Sequence, residues 1–295
     1  MISVRRPEVV TRHRDGLIHA YVLQSGVLGV LEPAAVFRPR PGDEVVESAV
    51  RPDLERVVYT TPNSVVCLTR AGDLAWTPDF EPHSDRHHGH RPGCALSQDG
   101  RTVWVYRPDA MAQRGGADQG VVHNADTGAI LARQEFETVG HGAHHYVHPM
   151  DGSVYLDIGE GQDGSVILRG TIGAHGEAEF VTYPWSDRCL IGPAPDVHQF
   201  MTVDHGQADV AFHRHPSGEV LFTLGGEGEG EEEWFRYHLV DVRTGTLGGE
   251  MAVEVDDPYR LEPLGDGSWL TDAPDTDPVR RACDPPPSSP PHPEG

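Results

Sequence analysis

Three stretches of this chain carry the same order of landmarks, and that recurrence constrains the fold more than any other feature. Gly89-His90 is followed by Ser97, Asp99-Gly100, the apolar run Val103-Trp104-Val105-Tyr106, Asp118 and Asp126-Thr127-Gly128. Gly140-His141 is followed by Asp151-Gly152, Val154-Tyr155-Leu156, Asp163-Gly164 and Gly173. Asp204-His205 is followed by Ser217-Gly218, Val220-Leu221-Phe222, a Glu-rich stretch, Val240-Asp241 and Thr244-Gly245. A unit returning about every 40 to 60 residues, built of short β-rich runs and Gly turns, marks a radial or stacked architecture. Each unit reads as antiparallel strands, because Asp-Gly, Ser-Gly and Thr-Gly pairs supply the positive φ of tight hairpins.

Further strands are expected at Leu17–Leu23, Val27–Leu31, Val45–Val50, Arg56–Thr60, Ser64–Thr69, Leu74–Trp76 and in a hairpin over Tyr259–Thr271. The only hint of helix is the short run Arg107–Gln113. The expected fold is all-β: a single closed β-propeller of roughly five to seven four-stranded blades, six preferred. A ring leaves only short, protected edges, whereas an open stack exposes an apolar face at each end. The C-terminal hairpin is therefore expected to take a strand from Leu17–Leu31, so that both termini share one blade within residues 1–273. Residues 274–295, rich in Pro and Asp, are expected to form a disordered tail with little to bury.

Charge narrows the partners. Acidic residues number 46 against 23 basic ones, a formal net charge of −23. Each nucleic-acid or anionic-lipid phosphate needs a local cation, so neither is an expected partner; a basic protein or peptide is. Every basic residue is Arg. Cys67, Cys94, Cys189 and Cys283 lack metal or redox spacing and read as reduced thiols. Met1–Gly16 has no apolar segment of the secretory kind, and no run approaches the length of a spanning helix, so the expected compartment is the cytoplasm.

On Gly89-His90, Ser97, Asp99-Gly100, Asp118 and Thr127-Gly128, and on their counterparts in the next two units, the chain resembles the WD-repeat family of β-propellers. The resemblance covers roughly residues 89–250. It implies that a His locks each blade by bonding to the Asp of a later turn: His90 with Asp118, and His141 with Asp163. His205 has only Glu232 or Glu233 in the corresponding place. The Trp-Asp dipeptide is replaced by His123-Asn124 and Leu168-Arg169, and only Val240-Asp241 keeps its Asp.

The chain holds 18 His, and they cluster at 83–90, 141–148 and 198–215. Imidazoles from different blades could converge on one ion, with His144, His148, His213 and His215 the candidate ligands and zinc a fitting metal. His213 and His215 share a face if extended, as do His144 and His148. Against this stands the architectural use of one His per unit and the absence of HExxH-type spacing. No nucleophile elbow or phosphate-binding loop is present. The expected function is therefore a cytoplasmic scaffold that holds a protein or peptide partner on its top face. The alternative is a divalent-metal-dependent lyase or hydrolase with a His-lined channel. A third reading, a pH-responsive surface, follows from many imidazoles on an acidic body.

Overall fold

The computed structural model describes residues 8–183 apart from Ser25, His87, 149–151, 162–163 and 174–176. Beyond 183 it describes strand segments and residues 276–282. Two compact units share the chain: 1–25 with 32–205, and 26–31 with 206–295. All strands among the described residues lie in antiparallel sheets whose strands follow one another in sequence, except that β3 leaves the first sheet to join β25.

In the first unit, β1 (Glu8–Arg14), β2 (Leu17–Leu23) and β4 (Ala35–Phe37) form a three-stranded sheet. β5 (Glu47–Val50), β6 (Arg56–Thr61), β7 (Ser64–Thr69) and β8 (Leu74–Trp76) form a four-stranded one. The next two are β9 (Gly93–Leu96), β10 (Thr102–Arg107), β11 (Asp118–Asn124), β12 (Ile130–Phe136), and β13 (Gly142–Val147), β14 (Val154–Gly159), β15 (Ser165–Ile172), β16 (Ala178–Thr182). β17 (Arg188–Pro193) and β18 (Phe200–Asp204) pair as a hairpin.

In the second unit, β19 (Val210–Arg214), β20 (Glu219–Glu227), β21 (Glu233–Asp241) and β22 (Thr246–Met251) form one sheet. The other combines β23 (Leu261–Pro263), β24 (Ser268–Thr271) and β25 (Val279–Ala282) with β3 (Gly29–Val30). β25 corrects the expected tail: Val279–Ala282 lies inside 274–295, yet pairs with β24 on one side and β3 on the other. Composition misled because Pro278, which reads as a breaker, accepts the Leu31 N–H at 2.9 Å and so joins the sheet itself. The Tyr259–Thr271 hairpin was expected to pair directly with a strand near Leu17–Leu31; β3 instead pairs with β25, which lies between it and β24.

The sequence periodicity explains why these sheets stack. In β6, Val57 and Tyr59 turn to one face and Val58 to the other; in β7, Val66 and Leu68 oppose Val65 and Cys67. In β10, Val103 and Val105 face the β5–β8 sheet, while Trp104 and Tyr106 pack with Val154, Leu156 and Ile158 of β14. Alternation sends successive side chains to opposite faces. A continuous apolar run such as Val103–Tyr106 therefore signals a sheet covered on both sides.

Polar locks tie the layers together. Asp118, fully buried, accepts hydrogen bonds from Tyr106 Oη (2.7 Å), Thr138 Oγ1 (2.8 Å), and the backbone N–H of Gly140 (2.8 Å) and Ala110 (3.0 Å). It thus fastens β11 to β10 and to the connection leading into β13. Arg107–Gln113, hinted as helix, is a turn instead. Arg107 and Arg114 both pair with buried Asp109 and both lie over the Phe80 ring, which pins the segment. Between the β5–β8 and β9–β12 sheets, Trp76 Nε1 donates to Ala125 O at 3.1 Å and Arg51 bonds Asp126 at 2.8 Å. Gly128 (φ 72°) closes that turn, and a Cβ there would meet the Trp76 ring.

Asp118→Ala strands four donors in a dry interior and should destabilise the protein by about 3 kcal/mol or more in urea unfolding. Asp99→Ala, in an exposed turn, should cost less than about 1 kcal/mol. Equal costs would remove Asp118 from its place as a lock.

Candidate functional site

Sheet edges meet at the first strands. β9 packs between β5 and β13, and an isolated parallel bridge joins Arg91 to Gly142 at its start. Arg91 N donates to His141 O, and Thr60 Oγ1 donates to Pro92 O at 2.6 Å, so the approach to β9 is fixed on both sides. Thr11 of β1 reaches Ser48 O of β5 at 2.7 Å, placing a fourth first strand alongside.

Glu47, Gly93 and His145 come together on this surface, one from each of β5, β9 and β13. Cys94 N donates to Glu47 Oε2 at 3.0 Å, and His145 Nδ1 lies 3.8 Å from the same oxygen. Gly93 is required there: a Cβ would stand 2.6 Å from both Glu47 Oε2 and His145 Cε1. The His145 side chain is 1% exposed, and neither ring nitrogen makes a hydrogen bond of good geometry, although the Ala143 backbone bears on the ring. Glu47 is different. Burial raises its carboxyl to about 7, against the opposing pull of the Cys94 N–H and the Arg91 charge. Yet 37% of its side chain is open to solvent. Its carboxyl is therefore crowded by protein while part of the side chain stays exposed. Burial, with His144 beside it, holds His145 down at about 3, so the imidazole is neutral across the physiological range.

The histidines singled out in the sequence are placed otherwise. His90 is buried against the backbone of Pro62 and His88, and the four donors to Asp118 do not include it. His141 is exposed at the start of β13; its partner Asp163 lies outside the described residues, as do His205 and His215. His213 falls on β19, opposite Leu221, with its side chain outside the described set. His144 is exposed on β13, whereas His148 is fully buried just beyond it, in the turn where His148 N bonds Ser153 O at 2.7 Å. Neither belongs to a group of three ligand-bearing residues among the described residues.

Among the described residues, the group able to offer a metal three ligand atoms is Asp79, Glu81 and His83, whose ligand atoms all lie within 4.8 Å of one another. All three are exposed on the β8–β9 connection. That connection is well anchored: Phe80 N bonds Asn63 O at 2.8 Å, Ser84 N bonds Asn63 Oδ1 at 2.7 Å, and Ser84 Oγ bonds Ala112 O at 2.7 Å. Sequence gave no sign of Glu47, which opens an ordinary short strand.

No protein-family profile matches this chain, and no curated protein sequence matches it. Among solved structures it is similar to the dihydro-heme d1 dehydrogenase NirN in complex with DHE, at 13% identity and TM-score 0.50, over 91% of this chain. The chain spans 58% of that protein's length. A protein of unknown function from Bacteroides caccae matches at 12% identity and TM-score 0.42, over 86% of this chain and 81% of its own. The chain is thus an all-β protein with a propeller-like fold.

The two shifts carry opposite signs in stability. Folded Glu47 keeps a proton that the unfolded chain releases from about 4.5 upward, so its contribution is lost as pH rises toward 7. Unfolded His145 binds a proton below 6.5 that the folded ring refuses until about 3, so stability falls as pH falls through that window. Glu47→Gln should therefore gain stability relative to the parent between pH 5 and pH 8, and His145→Gln should lose less on acidification. Urea unfolding across that pH series checks both; parallel pH profiles would refute the assignment.

Proposed function

We propose that this chain is a binding scaffold: a WD-like closed propeller that holds a basic protein or peptide partner in the cytoplasm. The observation that carries this reading is the connection between β8 and β9. It displays Asp79, Glu81 and Asp85 to solvent while Asn63, Phe80 and Ser84 fix its backbone. A rigid acidic loop takes a cationic partner with little ordering cost. The formal net charge of −23 draws such a partner in from a distance. The buried carboxylates have another use: Asp109 and Asp118 are consumed by internal donors, which leaves the exposed ones for recognition. The propeller-like fold suits the role because rigid sheets present many loops; this step is analogy with the fold.

A short arginine-rich peptide should bind the full chain, and raising salt from about 50 to 500 mM should weaken it at least about tenfold. Replacing Asp79, Glu81 and Asp85 together by their amides should weaken it comparably. A peptide that binds with no salt dependence, or not at all, defeats the scaffold reading.

The second reading, a divalent-metal-dependent lyase or hydrolase, draws on the Asp79–Glu81–His83 group. Protein purified without a histidine tag would then carry a metal such as zinc that His83→Gln releases. Metal analysis decides it; metal content unchanged by His83→Gln counts against this site.

A further inference from the structure

The seam between the β5–β8 and β9–β12 sheets is filled by apolar side chains, among them Val58, Cys67, Trp76, Phe80, Cys94 and Val105. A buried imidazole closes each end of it. His123, on β11, is 3% exposed and stacks on the Trp76 ring with 5.9 Å between centroids, while its Nδ1 donates to Gly128 O at 3.0 Å. His90, 6% exposed, closes the opposite end, beside Pro62 and Arg114. Both its ring nitrogens are shut off from solvent without a hydrogen bond of good geometry.

The β8–β9 connection spans this seam. Ser84 N bonds Asn63 Oδ1, in the turn before β7, and Ser84 Oγ bonds Ala112 O, in the connection between β10 and β11. One residue is thus anchored to both sheets, and parting them pulls its two anchors apart.

The charges that act on the two rings are cationic. Arg133 of β12 and Arg107 of β10 act on His123; Arg114 and Arg86 act on His90. The carboxylates at the two ends are already held, Asp126 by Arg51 and Arg56, and Asp109 by Arg107 and Arg114. An added proton would therefore create a buried charge with no free counter-ion beside it. Burial, aided by these arginines, lowers the proton affinity of both rings against the pull of the Gly128, His88 and Pro62 backbone.

We propose that His90 and His123 make this seam an acid-sensitive joint: protonating either ring requires the sheets to part, and the acidic β8–β9 connection then loses its fixed shape. The inference rests on the scaffold reading and adds its regulation, the release of the cationic partner in acid. The unfolded chain takes up protons at these rings near pH 6.5, where the folded protein resists them. The stability they contribute is therefore full above that pH and is lost as pH falls below it.

The full chain, His90→Gln and His123→Gln are unfolded by urea between about pH 7.5 and pH 5, and the arginine-rich peptide is titrated by calorimetry at both limits. Each substitution should remove about one proton from the uptake that accompanies unfolding, so each variant loses less stability on acidification than the parent. A ring with a purely structural role gives a cost independent of pH. The parent should bind the peptide about tenfold more weakly at pH 5 than at pH 7.5, the arginines staying charged throughout, and His90→Gln should narrow that difference. Should a variant fail to fold, amide exchange in the parent decides: the protection factor of the Ser84 N–H should fall as the pH is lowered. Protection that holds in acid, with unfolding slopes that neither substitution changes, overturns the proposal. If the peptide binds at neither pH, the scaffold reading falls while exchange and unfolding still test the joint. If it binds equally at both, the scaffold stands and the regulation falls.

Discussion

The structure depends on sheets covered on both faces. A β-strand delivers alternate side chains to opposite sides, and here both sides are needed. Val58, Val65 and Val105 fill one interlayer, Val57, Tyr59 and Leu68 a second, and Trp104, Tyr106 and Leu156 a third. Once the faces are committed to packing, polar chemistry is driven to turns, strand ends and sheet edges. That single constraint accounts for where the locks lie, where the charges lie, and why the candidate site sits on first strands.

Buried polar groups sort into two kinds. Asp118 and Asp109 are saturated by donors from their own and neighbouring elements, and so serve cohesion. Glu47 and His145 are different. One hydrogen bond from Cys94 orients the carboxyl, burial lifts its proton affinity, and the adjacent ring is left without a well-formed bond. Unlike Asp118 and Asp109, Glu47 is held by one backbone donor while part of its side chain stays exposed. Gly93 belongs to the same argument, since the pair can approach only where β9 lacks a side chain.

Much of the scaffold was legible in the residues. Ser64–Thr69 and Leu74–Trp76 were read to the residue, because short β-branched or aromatic runs bounded by Gly, Asn and Asp leave little choice. Asp118 was recognised as a lock from the WD-type spacing, yet its donors are Tyr106, Thr138, Gly140 and Ala110. Spacing marks a residue that must be satisfied; it does not say which side chain three-dimensional packing brings to it. The Val279–Ala282 strand was hidden for a related reason: a pairing partner near residue 30 leaves no trace in local composition.

Sequence alone decided the all-β class, the turn positions and the acidic character, because period, Gly placement and charge are properties of the chain itself. Tertiary structure alone decided which carboxylates are consumed and which are offered. Glu47, Gly93 and His145 are far apart along the polypeptide and share no motif. They become a site only because three separate sheets bring their first strands side by side.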